Sequence, residues 1–307
     1  MSDLNAKRDL RGIVASLHTA FDEAGRVDLA SLERLVHHAG EAGCCGVLAT
    51  AVAGEVGSLA PDERSQILRT VRSSAGDRLR ILAGVSAPDI ATSAALAEEA
   101  AALGADMVMW QPPAGLQPLE IMDGVRSLGA HLPVMLQDLD WSGPGLDPAL
   151  IGEMAAGIEA LQAVKIETAP AGPKYSAVAR ATGGNLHLSG GWAAMQMPDA
   201  LARGLDAFIP SGLLPVYVRI FNFWARGHEG EARELFEEIL PIIAFSNQHI
   251  HVSIRFWKLE HLMKAIFTTL NARPPVAELD EIQLAEAASL AKRAIALEQR
   301  WRTGSGS

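Results

Sequence analysis

A chain of 307 residues is long enough to bury a large core, which excludes a small disulfide-stapled scaffold. Its 26 Lys and Arg against 36 Asp and Glu leave a net charge of −10, with the basic residues scattered, which argues against a nucleic-acid or anionic-membrane surface. Cys44 and Cys45 are the only cysteines, adjacent and unable to build a disulfide framework, so a reducing cytoplasm is the expected compartment.

The opening MSDLNAKRDLRG has no apolar signal core, and no run approaches the roughly 18 to 20 apolar residues of a membrane span. From there almost to residue 225, short apolar runs alternate with amphipathic helical stretches, the pattern of repeated βα units around a parallel sheet. Strands are predicted at GIVASLH (12–18), GVLATA (46–51), RILAGV (80–85), DMVMWQ (106–111), PVMLQD (133–138), QAVKIE (162–167), LHLSG (186–190) and AFIPSG (207–212). Asp28 is placed to cap the first long helix, which carries Leu29, Leu32, Leu35, Val36 and Ala39 on one face. Pro61, Asp62 and Glu63 suit the opening turn of the next, where a missing N–H is harmless and acids favour the dipole.

Eight such units predict an α/β fold, a (β/α)8 barrel over residues 1–225, although a doubly wound sheet also fits the periodicity. Residues 226–303 read as a C-terminal helical domain broken at NARPP (271–275), and 304–307 as a flexible tail. The helical run LPVYVRIFNFW (214–224) carries more large apolar residues than one barrel is expected to cover, which predicts a homodimer or homotetramer.

In a barrel of this kind chemistry gathers where strands end. AVKIE (163–167) sets Lys165 inside an apolar, β-branched run, either as a strand-end lysine reaching water or as a buried amine nucleophilic toward a carbonyl. Strand alternation places Glu167 on the same side, about 7 Å further along by strand rise. Glu167 is then an acid–base group, or only the ion-pair partner of Lys165 or Lys174. Gln137 and Asp138 end the fifth predicted strand, and alternation lets one of them face the axis. Gln137 is the expected contact, with Asp138, Asp140 and Trp141 in the loop, where Trp141 either covers the site or packs. Other strand ends contribute Gln111, Ser189, Gly190, Ser211 and His18 as candidate substrate contacts, His18 being equally readable as a core histidine. His249 and His251 are two apart, unlike the i,i+4 spacing of a helical zinc pair, and GNLHLSGG (184–191) lacks GxGxxG. Neither metal nor nucleotide is expected.

These residues resemble the dihydrodipicolinate synthase and N-acetylneuraminate lyase family. The likeness runs from HTAFDEAGRVDLASLERLV through GEVGSLAPDERSQIL and AGVSAPDIATSAALAEEAAALGAD to AVKIE and the helical tail. It implies a (β/α)8 barrel, a small-molecule 2-oxo acid substrate, no cofactor, and a Schiff base on Lys165, which matches the family's Gly-Ile-Lys-Glu stretch. Gly54 and Glu55 match the end of the Gly-Thr-Thr-Gly-Glu loop and are candidate substrate contacts, Glu55 being equally readable as a brace.

The departures are informative. The two loop threonines fall on Val52 and Ala53, the tyrosine ending strand five on Gln137, and the tyrosines after strand four on Ala114 and Gly115. The chain's only tyrosines, Tyr175 and Tyr217, are not placed to replace them, so dihydrodipicolinate synthase activity itself is not expected. Lys165, Ile166 and Glu167 with Lys174 beyond resemble the sugar-acid 2-keto-3-deoxy dehydratase branches. The expected function is a Schiff-base lyase, dehydratase or aldolase, on a 2-oxo acid. The alternative is an inactive ligand-binding or regulatory barrel, which the lost threonines and tyrosines favour.

Overall fold

The computed structural model describes residues 5–302; the tail expected at 304–307 lies outside them. The strands are β1 (Gly12–Ser16), β2 (Gly46–Ala49), β3 (Arg80–Gly84), β4 (Met107–Trp110), β5 (Val134–Asp140), β6 (Leu161–Thr168), β7 (His187–Gly190) and β8 (Ala207–Phe208). Their order in the sheet is their order in the chain, and it closes into a barrel. The doubly wound alternative is thereby excluded. The helices are α1 (Ala6–Asp9), α2 (Leu29–Ala42), α3 (Pro61–Ala75), α4 (Ile90–Ala102), α5 (Pro118–Gly129), α6 (Pro148–Gly157), α7 (Ala171–Ala181), α8 (Met197–Ala202), α9 (Leu214–Ala225), α10 (Glu229–Ser246), α11 (Ile250–Met263) and α12 (Glu281–Arg302). Among the described residues no helix is long and apolar enough to cross a membrane.

By its internal contacts the chain divides into two compact units, residues up to 12 with 80–209, and residues 13–79 with 210 onward. In the first, the register aligns Gln137 of β5, Lys165 of β6 and Ser189 of β7 at one level, and Leu139 with Glu167 one step further along. Strand alternation therefore puts these polar groups on one side of the sheet. β5 runs two residues beyond its predicted end, because β6 continues to pair with it as far as Asp140 opposite Thr168. Asp138 and Asp140 are strand residues, not loop residues. β8 is shorter than predicted: Pro210 has no N–H to donate to a ladder.

In the second unit, α2 starts and stops as its sequence requires. The Asp28 carboxylate accepts the Ser31 N–H at 3.0 Å, and Gly43 closes the helix at φ +86°, a conformation open to glycine at little cost. Leu32, Leu35, Val36 and Ala39 are at most 2 % exposed, and burial of each leucine or valine contributes about 1.5–3 kcal/mol. Pro61 opens α3, where Glu63 reaches back to the Ala60 N–H at 2.9 Å and holds the Arg273 guanidinium through both carboxylate oxygens.

The surface argument for association is corrected. Leu214, Val216, Tyr217, Ile220 and Phe221 of α9 are buried, and the helix packs against α10 and α12 of its own unit. Phe223 and Trp224 remain half-buried beneath arginines, Arg219 over the first and Arg233 over the second. The apolar face that suggested a partner is covered by the chain's own helices.

Candidate active site

The central question is why β6 carries a lysine. Its neighbours Val164 and Ile166 are fully buried, and Lys165 itself is 7 % exposed, so the amine does not reach freely into water. A buried charge persists only when it is paired. The partner is Glu167: Lys165 Nζ lies 3.0 Å from Oε2, both side chains being 8 % exposed. Gln137 Nε2 donates to the same oxygen at 2.7 Å, and the Trp192 backbone N–H donates to Oε1 at 2.8 Å. Burial pushes this carboxyl up, but the Lys165 charge, the Gln137 amide and the Trp192 N–H outweigh it and hold Glu167 below the ordinary glutamate value. The group beside the amine is a carboxylate.

Gly191 makes room for it. A Cβ there would fall 2.2 Å from Glu167 Oε1, so the chain leaving β7 passes the carboxylate with no space for a side chain. Ser189, level with Lys165, has its Oγ 3.3 Å from His187 Nδ1. Gly190 alternates to the other side of β7, where an added Cβ would meet Phe208 and the Tyr175 hydroxyl. It is not turned toward Lys165. Tyr175 is buried on that outer side, with its hydroxyl 3.3 Å from Gln196 Nε2, and burial pushes the phenol well up.

Asp138 is also turned away from Lys165, as alternation from Gln137 requires. Its Oδ2 lies 2.9 Å from Lys174 Nζ and its Oδ1 accepts the Leu146 N–H at 2.8 Å. Lys174 also donates to the carbonyls of Pro144 and Leu146. Of the ion-pair partners open to Glu167, Lys174 is therefore not the one; it clamps the loop after β5. Asp140 adds bonds to the N–H groups of Ser142 and Gly145. Trp141 heads this loop, 47 % exposed, with its ring edge-on to Trp192 at a centroid distance of 4.6 Å. Gln111, half-buried just past β4, donates its N–H to Ser86 Oγ at 2.8 Å.

His18, Gly54, Glu55 and Ser211 belong to the second unit. His18 is fully buried with its ring 5.7 Å from that of His261, and neither ring nitrogen has a hydrogen-bond partner among the described residues. Burial, with His261 and Lys258 nearby, holds it well below the usual histidine value, so the imidazole is neutral. Gly54 accepts the Thr19 hydroxyl at 2.6 Å, and an added Cβ would meet the Leu17 carbonyl at 2.9 Å. Ser211 is half-buried.

Glu55 is a brace. Its carboxylate pairs with Lys258 and accepts the Arg273 N–H at 2.8 Å, while Lys258 also donates to the Asn271 carbonyl at 2.7 Å. Burial pulls the Lys258 amine down to about 8 against the opposing charge of Glu55. Both side chains are 1 % exposed, so removing one charge strands the other. Lys258→Met is expected to lower stability by about 3–5 kcal/mol in urea unfolding at pH 7, and Glu55→Gln on top of it to recover part of that loss. An unchanged midpoint in the single variant would refute the brace.

A closed eight-stranded parallel barrel with a buried lysine–carboxylate pair at the end of β6 defines a class of barrel enzyme. The model of the dihydrodipicolinate synthetase family matches residues 9–294, and the chain belongs to that family. Among its relatives is the L-2-keto-3-deoxyarabonate dehydratase of Azospirillum brasilense, 29% identical over 305 residues, covering 95% of this chain and 96% of the relative. Similar solved structures include the dihydrodipicolinate synthase of Rhodopseudomonas palustris, with a TM-score of 0.88 at 24% identity over 95% of this chain and 100% of that one. The sialic acid aldolase of Ruminococcus gnavus superposes with a TM-score of 0.86 at 18% identity, over 96% and 100% of the two chains. The relatives support a lyase at the level of the family. Sequence reasoning missed Trp192 and Gly191; the signal available was a glycine pair followed by an aromatic residue at the end of a strand.

Proposed function

We propose that this protein is a Schiff-base lyase acting on a sugar-derived 2-keto-3-deoxy acid, with dehydration as its reaction. The observation that carries the reading is the buried Lys165 amine 3.0 Å from an ionised Glu167, with the Gln137 amide donating to the same carboxylate oxygen. The amine adds to the C2 ketone and the carbinolamine loses water, giving a protonated imine. That cation replaces the ammonium beside Glu167, so the carboxylate keeps its counter-charge until it takes a proton. The imine acidifies the C3 hydrogens. Glu167 takes one, the enamine electrons expel the C4 hydroxyl, which leaves as water with that proton, and a water then hydrolyses the product imine and frees the lysine. Retro-aldol cleavage needs a base at the C4 hydroxyl instead, the role in which a phenol is missing here. The substrate of the Azospirillum relative, by its name, is a 2-keto-3-deoxy sugar acid, which favours the same choice.

Cys44 and Cys45 are both free, and burial pushes both thiols up, Cys45 to about 12, in keeping with inert packing residues in a reducing cytoplasm. The test is incubation with a panel of 2-oxo acids, pyruvate and 2-keto-3-deoxy acids included, followed by borohydride reduction and intact mass. An adduct on Lys165 and a product lighter than its substrate by one water are expected. No adduct with any acid would sink the proposal.

A further inference from the structure

Two tryptophans stand beside the Lys165–Glu167 pair, one on each flanking loop. Trp141 directly follows β5, where Leu139 is level with Glu167; Trp192 follows Gly191 at the exit of β7 and gives its N–H to the Glu167 carboxylate. Their rings meet edge to face at 4.6 Å and 63°. Such a contact is favourable in itself, yet it leaves ring surface unburied, since Trp141 is 47 % exposed.

The backbone beneath one of them is strained. Trp192 has φ +51° and Ala194 φ +55°, left-handed conformations that disfavour residues with a Cβ and cost about 1 kcal/mol or more each. An isolated surface turn would use glycine at these positions. The Trp141 side is equally constrained, because Asp138, Asp140 and Lys174 fasten the loop it heads. Both tryptophans thus sit on anchored loops next to the reacting pair, with their rings in contact.

We infer that Trp141 and Trp192 form the apolar wall of the substrate pocket and select a polyhydroxylated 2-oxo acid over a short one by packing on the C–H groups of its chain beyond C3. An aromatic wall with a few convergent polar groups is the usual make-up of a small-molecule pocket. Glu167, Gln137 and Lys165 supply the polar set. Pyruvate ends at C3 and has nothing to lay against the rings. The inference rests on the lyase reading above and names the part of the site that determines its chain length.

The experiment compares half-saturation for borohydride trapping of pyruvate and of a five-carbon 2-keto-3-deoxy acid in the full chain and in Trp141→Ala, Trp192→Ala and Trp192→Phe. In the unaltered protein the longer acid is favoured. In each alanine variant that preference is expected to fall about tenfold, the scale of one lost aromatic contact, with Trp192→Phe retaining most of it. The Trp192 N–H survives every substitution, so a loss confined to the longer acid reports the ring. Equal loss for both acids, as a merely structural role would give, or no loss for either, overturns this inference alone. No adduct in the unaltered protein overturns the lyase reading and this inference with it.

Discussion

Lys165→Ala is expected to abolish both borohydride-trappable adducts and turnover. Among the described residues no other buried lysine pairs with Glu167: Lys174 is turned to Asp138 and two carbonyls, Lys258 is held by Glu55 and Asn271, and Lys264 lies between Glu260 and Glu298. Lys165→Arg should fail as completely, because guanidinium keeps its proton and does not add to a ketone. The alanine variant still folds, with Glu167 retaining the Gln137 and Trp192 donors. It loses the Lys165 charge, the largest of the effects that lower that carboxyl, so the carboxyl rises from its value in the unaltered protein. In the unaltered protein a depressed Glu167 contributes stability above the unfolded glutamate pKa, and that contribution fades as pH falls through the folded value. In the variant that contribution is smaller, and it too fades on protonation. The stability gap between the two proteins should therefore close as pH drops below the ordinary glutamate range, which denaturant titrations at several pH values would read. Residual adduct of the expected mass in Lys165→Ala would remove Lys165 from the mechanism.

Much of this arrangement was legible in the chain, because alternation and capping are local rules. Asp28, Gly43 and Pro61 mark helix ends by their own conformational preferences, and the two-residue step from Lys165 to Glu167 fixes their common side whatever the rest of the fold does. The misreadings came where a partner distant in sequence decides. The last two residues of β5, Leu139 and Asp140, read as loop because the polar run around them gives no sign of a strand; only the extension of β6 makes them strand. Lys174 stood open as a partner of Glu167 until its helix was placed against Asp138. Glu55 had a family position but no visible partner, since Lys258 and the Arg273 N–H come from the far end of the chain. Trp192 contributes a backbone N–H, which no residue type announces.

Glu167→Gln separates a working carboxylate from a counter-charge. The glutamine has nearly the same shape, but one of its two ends is now an amide donor, whereas the carboxylate accepts at both: Gln137 and Lys165 at Oε2, Trp192 at Oε1. Turning its oxygen to the amine keeps Lys165 supplied with an acceptor and sets NH2 against the Trp192 N–H; the opposite flip sets it against two donors. The first orientation is the cheaper one and leaves the nucleophile in place. Imine formation with a trapping reagent should therefore persist. Turnover is expected to fall by roughly 10²- to 10⁴-fold, the range of a removed general acid–base group, because the C3 proton has lost its acceptor. In the unaltered protein the carboxyl is held below the ordinary glutamate value, so Glu167 itself is expected to impose no loss of kcat/KM in the mildly acidic range. Normal turnover in Glu167→Gln would reduce the carboxylate to a structural partner of Lys165. The proton would then travel by another group.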